Sequence, residues 1–101
     1  LFVFLSLFFS VVTFAGTTDV GTISTIYVSD TGQIAVKLNE GIPNITAAGE
    51  CSGAVWVGNY SADPVMKSVL VAAKATGATV TINASGCEGN WAKLRSVHMY
   101  D

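Results

Sequence analysis

One stretch constrains everything else this chain can fold into. Asp63 to Cys87 reads in order as helix, stop, strand and cysteine. Asp63 can accept a hydrogen bond from an unpaired backbone N–H of a first helical turn, and Pro64 suits the next position, where its missing N–H costs nothing. Met66, Val69, Leu70 and Ala73 recur at three- and four-residue spacing and form one apolar stripe. Lys67 and Lys74 lie seven residues apart, on a face away from that stripe. Gly77 follows the last periodic residue and can take the left-handed conformation that ends a helix. The period then changes to two. Val80 and Ile82 alternate with Thr79, Thr81 and Asn83, as in a half-buried strand. A single helix of about four turns is marginal alone in water. Its stripe must therefore pack on strands drawn from elsewhere in the chain.

The first residues read as an address. Leu1 to Phe14 is apolar except for Ser6, Ser10 and Thr13. It is shorter than the roughly 20 apolar residues that span a bilayer. Thr13-Phe14-Ala15 offers small residues at the −3 and −1 places of a signal-peptidase site, so residues 1–15 are expected to be a signal peptide and 16–101 the mature domain. The alternative is an N-terminal anchor that stays attached. The absence of an initiator Met and of a basic leading region suggests a start further upstream. Export places the domain in a periplasmic or extracellular setting, with no membrane association once the leader is cleaved.

A mature chain of this size makes one small domain, in which a covalent staple commonly supplements the core. Two cysteines in an exported chain read as one disulfide, Cys51–Cys87. A bridge closing a loop of this length contributes about 4 kcal/mol in the chain-entropy model. Redox or metal use of two free thiols is the alternative, but there is no C-x-x-C pair and only one His. The formal charge of −2 and the scattering of Lys37, Lys67, Lys74, Lys93 and Arg95 leave no clustered basic patch, which argues against a nucleic-acid partner.

The remaining elements follow in order. Gly21 to Ser29 is rich in Thr, Ile, Tyr and Val and reads as a strand, but Ile23, Ile26 and Val28 do not keep one parity, which calls for a bulge. Asp30-Thr31-Gly32 is a turn, and Gln33 to Leu38 alternates cleanly, so the first two strands form a hairpin. Asn39 to Glu50 reads as a loop, with Ile42 and Ile45 tucked beneath it. Ala54 to Val57 is a third strand, with Trp56 assigned to the core. Ala78 to Ala84 is a fourth. Gly86 to Asn90 is a loop with Trp91 at its edge. Lys93 to Met99 is a fifth strand, whose Leu94, Val97 and Met99 again need a parity slip to be buried together.

The fold is thus mainly β with one helix, in the order β-β-β-α-β-β. This is the element order of the OB-fold, a small five-stranded barrel with its helix between strands three and four. An open α+β sheet with one packed helix is the runner-up. At Leu70-x-Ala72-Ala73-Lys74-x-Thr76-Gly77-x-x-Val80-x-Ile82, followed by Gly86-Cys87, the sequence resembles an uncharacterised family of short exported bacterial proteins. In strand order and single disulfide it also looks like the pentameric B subunits of bacterial AB toxins. That likeness implies binding of cell-surface glycans and allows an oligomer, but a shared topology does not fix a function.

Chemistry is sparse. His98 is the only imidazole, no Ser sits in a nucleophile-elbow context, and both cysteines belong to the bridge, so no enzyme is expected. Glu50 and Glu88 flank the cysteines, but neither turn carries the further oxygen ligands of a calcium loop, and no metal or cofactor is expected. Asn44-Ile45-Thr46, Asn59-Tyr60-Ser61 and Asn83-Ala84-Ser85 are glycosylation triplets that matter only in a eukaryotic secretory host; in a bacterial chain they arise by chance. The aromatic residues carry more. Trp91, beside Asn90 and together with Tyr60, can stack on a sugar ring or a partner side chain; the alternative is that Trp91 covers the barrel beside the disulfide. The expected function is a non-catalytic exported binding module for a glycan, peptide or protein, with Trp91, Tyr60 and Asn90 as its ligand-binding residues. Two alternatives stand beside it: a structural or assembly protein of the cell envelope and a small secreted peptidase inhibitor.

Overall fold

The alternating apolar residues of five segments close on themselves. In the computed structural model, which describes residues 16–100, β1 (Thr17–Val28), β2 (Ile34–Leu38), β3 (Val57–Asn59), β4 (Thr79–Glu88) and β5 (Trp91–Met99) form one ring of hydrogen-bonded strands. The order around it is β1-β2-β3-β5-β4, with β4 returning to β1. All pairs are antiparallel except β3–β5, where Val57 faces Ala92 and Gly58 faces Lys93 in parallel. This is the OB-like arrangement that the element order implies, and each strand has a partner on both flanks. The leader expectation falls on residues outside those described. Among the described residues, no helix is long and apolar enough to cross a membrane.

The inward side chains follow from parity and from three bulges. In β1 the register slips between Ile23 and Thr25, which turns Ile26 back toward the core. In β5 it slips at Arg95, so Leu94 and Val97 both face in, while Met99 stays exposed. In β4 it slips between Ala84 and Cys87, where Gly86 has φ 76°. Ser85-Gly86-Cys87, which reads as a turn, is therefore a bulge within a longer strand. Ile34, Val36, Val57, Val80, Ile82 and Leu94 are fully buried inside the ring. Fully burying each contributes about 1.5–3 kcal/mol.

The helix α2 (Pro64–Thr76) forms as its local signals dictate. Asp63 Oδ1 accepts from Val65 N at 2.7 Å, Pro64 opens the first turn, and Gly77 ends the helix with φ 70°. Leu70 and Ala73 are buried in the core, with Met66 packed beside them. A second helix, α1 (Pro43–Ala47), occupies part of the expected loop. It has no cap of its own; the buried carboxylate of Asp19, on β1, accepts from Asn44 N at 3.2 Å and Ile45 N at 2.9 Å. Ile42 and Ile45 tuck into the core as expected.

The bridge Cys51–Cys87 is formed, joining the turn after α1 to β4 with Cα atoms 5.1 Å apart. Glu50, one residue earlier, accepts from Thr17 Oγ1 at 2.9 Å and from Gly86 N at 3.3 Å. The segment around the first cysteine is thereby tied to both β1 and β4.

Candidate functional site

The aromatic residues left outside the core come together through strand register. Tyr27 lies opposite Ala35, and Ala35 lies opposite Gly58, so the outward positions of β1, β2 and β3 form one row. The row is low at its centre because two of its three residues are Ala and Gly. Trp91, at the start of β5, fills that space: a Cβ on Gly58 would meet Trp91 Cε3 at 2.5 Å. Ala35 points outward by parity yet is fully buried. Here Gly is required by close approach of a ring, since its φ is ordinary.

Two tyrosines flank the half-buried indole. Tyr27 meets Trp91 edge-on, with ring centroids 5.9 Å apart and planes at 64°. Tyr60 does so at 5.4 Å and 81°. Such edge-to-face pairs contribute about 0.5–1.5 kcal/mol beyond area burial. Tyr60 stays in place for local reasons. Asn59 Nδ2 donates to Leu94 O at 3.1 Å, and Asn59 Oδ1 accepts from Ser61 N at 2.8 Å, which fixes the turn carrying Tyr60. Its hydroxyl end lies over Gly89, where a side chain would collide with it. Gly89-Asn90 is a two-residue hairpin loop with Gly first and φ 63°, as a type II′ turn requires.

Trp56 completes the cluster. It is half-buried just before β3, outside the core to which the apolar run Ala54–Val57 assigned it. β3 itself begins at Val57, because Gly58 and Asn59 extend the ladder opposite Ala35 and Ile34. Lys37 Nζ stands 5.4 Å from the centroid of the Trp56 ring. Tyr27, Trp56 and Trp91 line a cleft of about 240 Å³. Tyr27 and Tyr60 remain 43% and 41% exposed, so the rings are open to solvent rather than sealed.

The polar groups here are unspent. No hydrogen bond from the indole N–H of Trp56 or Trp91 joins the described residues, and both side chains are half-buried. Lys37 has no carboxylate partner among the described residues; the ion pair there joins Lys93 to Glu88 at 3.3 Å. A larger cleft of about 420 Å³ lies over α1, lined by Ile42, Pro43, Ala54 and Val55 with Glu40. Glu40 is already engaged by Thr22 N at 3.1 Å. That cleft has no aromatic ring in its lining; its polar side chains are Glu40 and Thr46.

Of the three residues singled out from the sequence, Trp91 and Tyr60 are in ring contact, and Asn90 is exposed at the turn immediately before Trp91. Tyr27, Trp56 and Lys37 are the members that sequence reasoning missed. Glu50 and Glu88 each hold a separate partner, as described. His98 is exposed and stacks on Tyr100 at 4.6 Å, whose hydroxyl pairs with Thr81 Oγ1 at 2.9 Å. Among the described residues, no three His, Cys, Asp or Glu side chains are grouped to hold a metal ion.

No protein-family model, curated protein or solved structure matches the chain. The likeness drawn from the Leu70–Cys87 motif therefore finds no counterpart there, although the single disulfide that accompanied it is present.

Proposed function

We propose that the protein is an exported, non-catalytic binding module whose ligand lies on the aromatic face formed by Tyr27, Trp56, Tyr60 and Trp91. The observation that carries this reading is the grouping of two exposed tyrosines with two half-buried indoles, one of them lying over Gly58. Contiguous apolar patches on a surface mark interaction sites, and aromatic residues are enriched at such interfaces. The face crosses strands two and three beside the β1–β2 and β4–β5 loops. OB-type barrels commonly hold extended ligands there, and this support is one of fold analogy. The likeness in strand order and disulfide to toxin B subunits points the same way, toward a ligand outside the producing cell. The bridge suits an oxidising compartment. Since each strand is paired on both flanks, the closed ring favours binding over envelope assembly by edge pairing.

Arrays of glycans and peptides, probed with the mature domain and with Tyr27→Ala, test the reading. Binding should fall at least about tenfold in the variant, while stability falls only by the lost edge-to-face contact with Trp91, about 0.5–1 kcal/mol. Ligand binding that Tyr27→Ala leaves intact would overturn it.

A further inference from the structure

The donor–acceptor balance of the aromatic face narrows the ligand class, and this step rests on the reading above. The cleft walls are three rings, Tyr27, Trp56 and Trp91. Their polar atoms are two indole N–H groups, which only donate, and one phenol. The nearest cation is Lys37, which also only donates. No carboxylate or amide lines the cleft. The neighbouring polar side chains that could accept are engaged: Asn59 by Ser61 N, Glu88 by Lys93. The exceptions are the Tyr60 hydroxyl and the Asn90 amide, both outside the cleft lining.

A sugar presents hydroxyls that must donate as well as accept, and this cleft would leave most of those donors unpaired. A chain of prolines has the opposite character. It has no backbone N–H, only carbonyl acceptors and apolar rings, and it is already extended as polyproline II. One turn of that helix is about 9 Å long, and two of the cleft rings, Tyr27 and Trp91, have centroids 5.9 Å apart, within the span of such a turn. Aromatic-lined grooves recognise such segments because little conformational entropy is lost on docking. We infer that the aromatic face takes a proline-rich peptide segment of a partner protein, its prolyl rings between Tyr27, Trp56 and Trp91 and its carbonyls accepting from the indole N–H groups and Lys37.

The two indole N–H signals of the isotopically labelled domain report on this directly. Titration with a decaproline peptide should shift both signals to saturation, with a Gly-Ser decapeptide leaving them in place. Trp56→Phe retains a ring and removes one donor, so it should weaken decaproline binding about tenfold; Tyr27→Ala, at an exposed strand end, should do the same without loss of folding. Failure of decaproline to move either signal at millimolar concentration overturns the inference, as does a Trp56→Phe variant that binds as tightly as the native chain. If chitohexaose, an N-acetylglucosamine hexamer, shifts the signals while decaproline does not, the inference falls and the binding face stands. If an array ligand binds with both indole signals unmoved, the binding face falls with it.

Discussion

Two regions of the barrel wall treat their polar groups in opposite ways. Around α1 and the bridge, polar side chains are bound. Asp19 caps α1, Glu50 holds Thr17 and Gly86, and Asn44 Nδ2 reaches Thr18 O at 3.3 Å. Across β2, β3 and β5, two indole N–H groups and Lys37 are left without protein acceptors, among rings that are still exposed. The first region spends its hydrogen bonds holding the chain together. The second keeps them available. A folded domain that satisfies its groups so fully on one side does not lack partners on the other for want of stability. This difference is what the proposed binding role of the aromatic face rests on.

Breaking the stapled region should therefore affect stability and leave binding alone. The largest effect belongs to the bridge. Replacing both Cys51 and Cys87 with Ser should remove about 4 kcal/mol, the loop-closure contribution for this spacing, read as a lower midpoint of urea unfolding. Asp19→Ala comes next. It strands the α1 amides, at least one of them buried, and should remove about 2–4 kcal/mol. Asp63→Ala removes a similar cap on α2, but at the surface, where water replaces it; about 1 kcal/mol should be lost. The contrast between these two aspartates sharpens the comparison, since both accept from helix amides but Asp19 is buried and holds two of them, while Asp63 is exposed and holds one. Tyr27→Ala stands at the other extreme. Its ring is 43% exposed but meets Trp91 edge-on, so unfolding should shift by about 0.5–1 kcal/mol while ligand binding drops.

The bridge and α2 were largely legible in the sequence. Asp63, Pro64 and Gly77 act within a few residues of one another, so their roles follow from local chemistry. The bulges in β1 and β5 were legible too, because Ile23 with Ile26 and Leu94 with Val97 cannot all face inward in an unbroken strand. The second helix was not. Pro43–Ala47 is too short to show a period, and its cap, Asp19, comes from a strand more than twenty residues earlier. The aromatic face was half legible. Trp91 and Tyr60 stood out as large rings beside turn residues. Tyr27 and Trp56 looked like ordinary members of apolar strands, and only the registers Tyr27–Ala35 and Ala35–Gly58 bring them beside Trp91. Gly58 follows the expected third strand, Ala54 to Val57, yet it is a strand residue that is small because an indole lies on it. Signals of this kind depend on partners distant in the chain, which spacing alone does not reveal.

The most direct test compares two variants against the same array ligand: Tyr27→Ala from the open face and Asp19→Asn from the tied one, each measured for binding and for unfolding while fully folded. The account predicts that they separate. Tyr27→Ala loses binding with only a small fall in the unfolding midpoint, and Asp19→Asn lowers the midpoint further at unchanged affinity. Loss of affinity in Asp19→Asn with retention in Tyr27→Ala would contradict it and move the site to the side of α1.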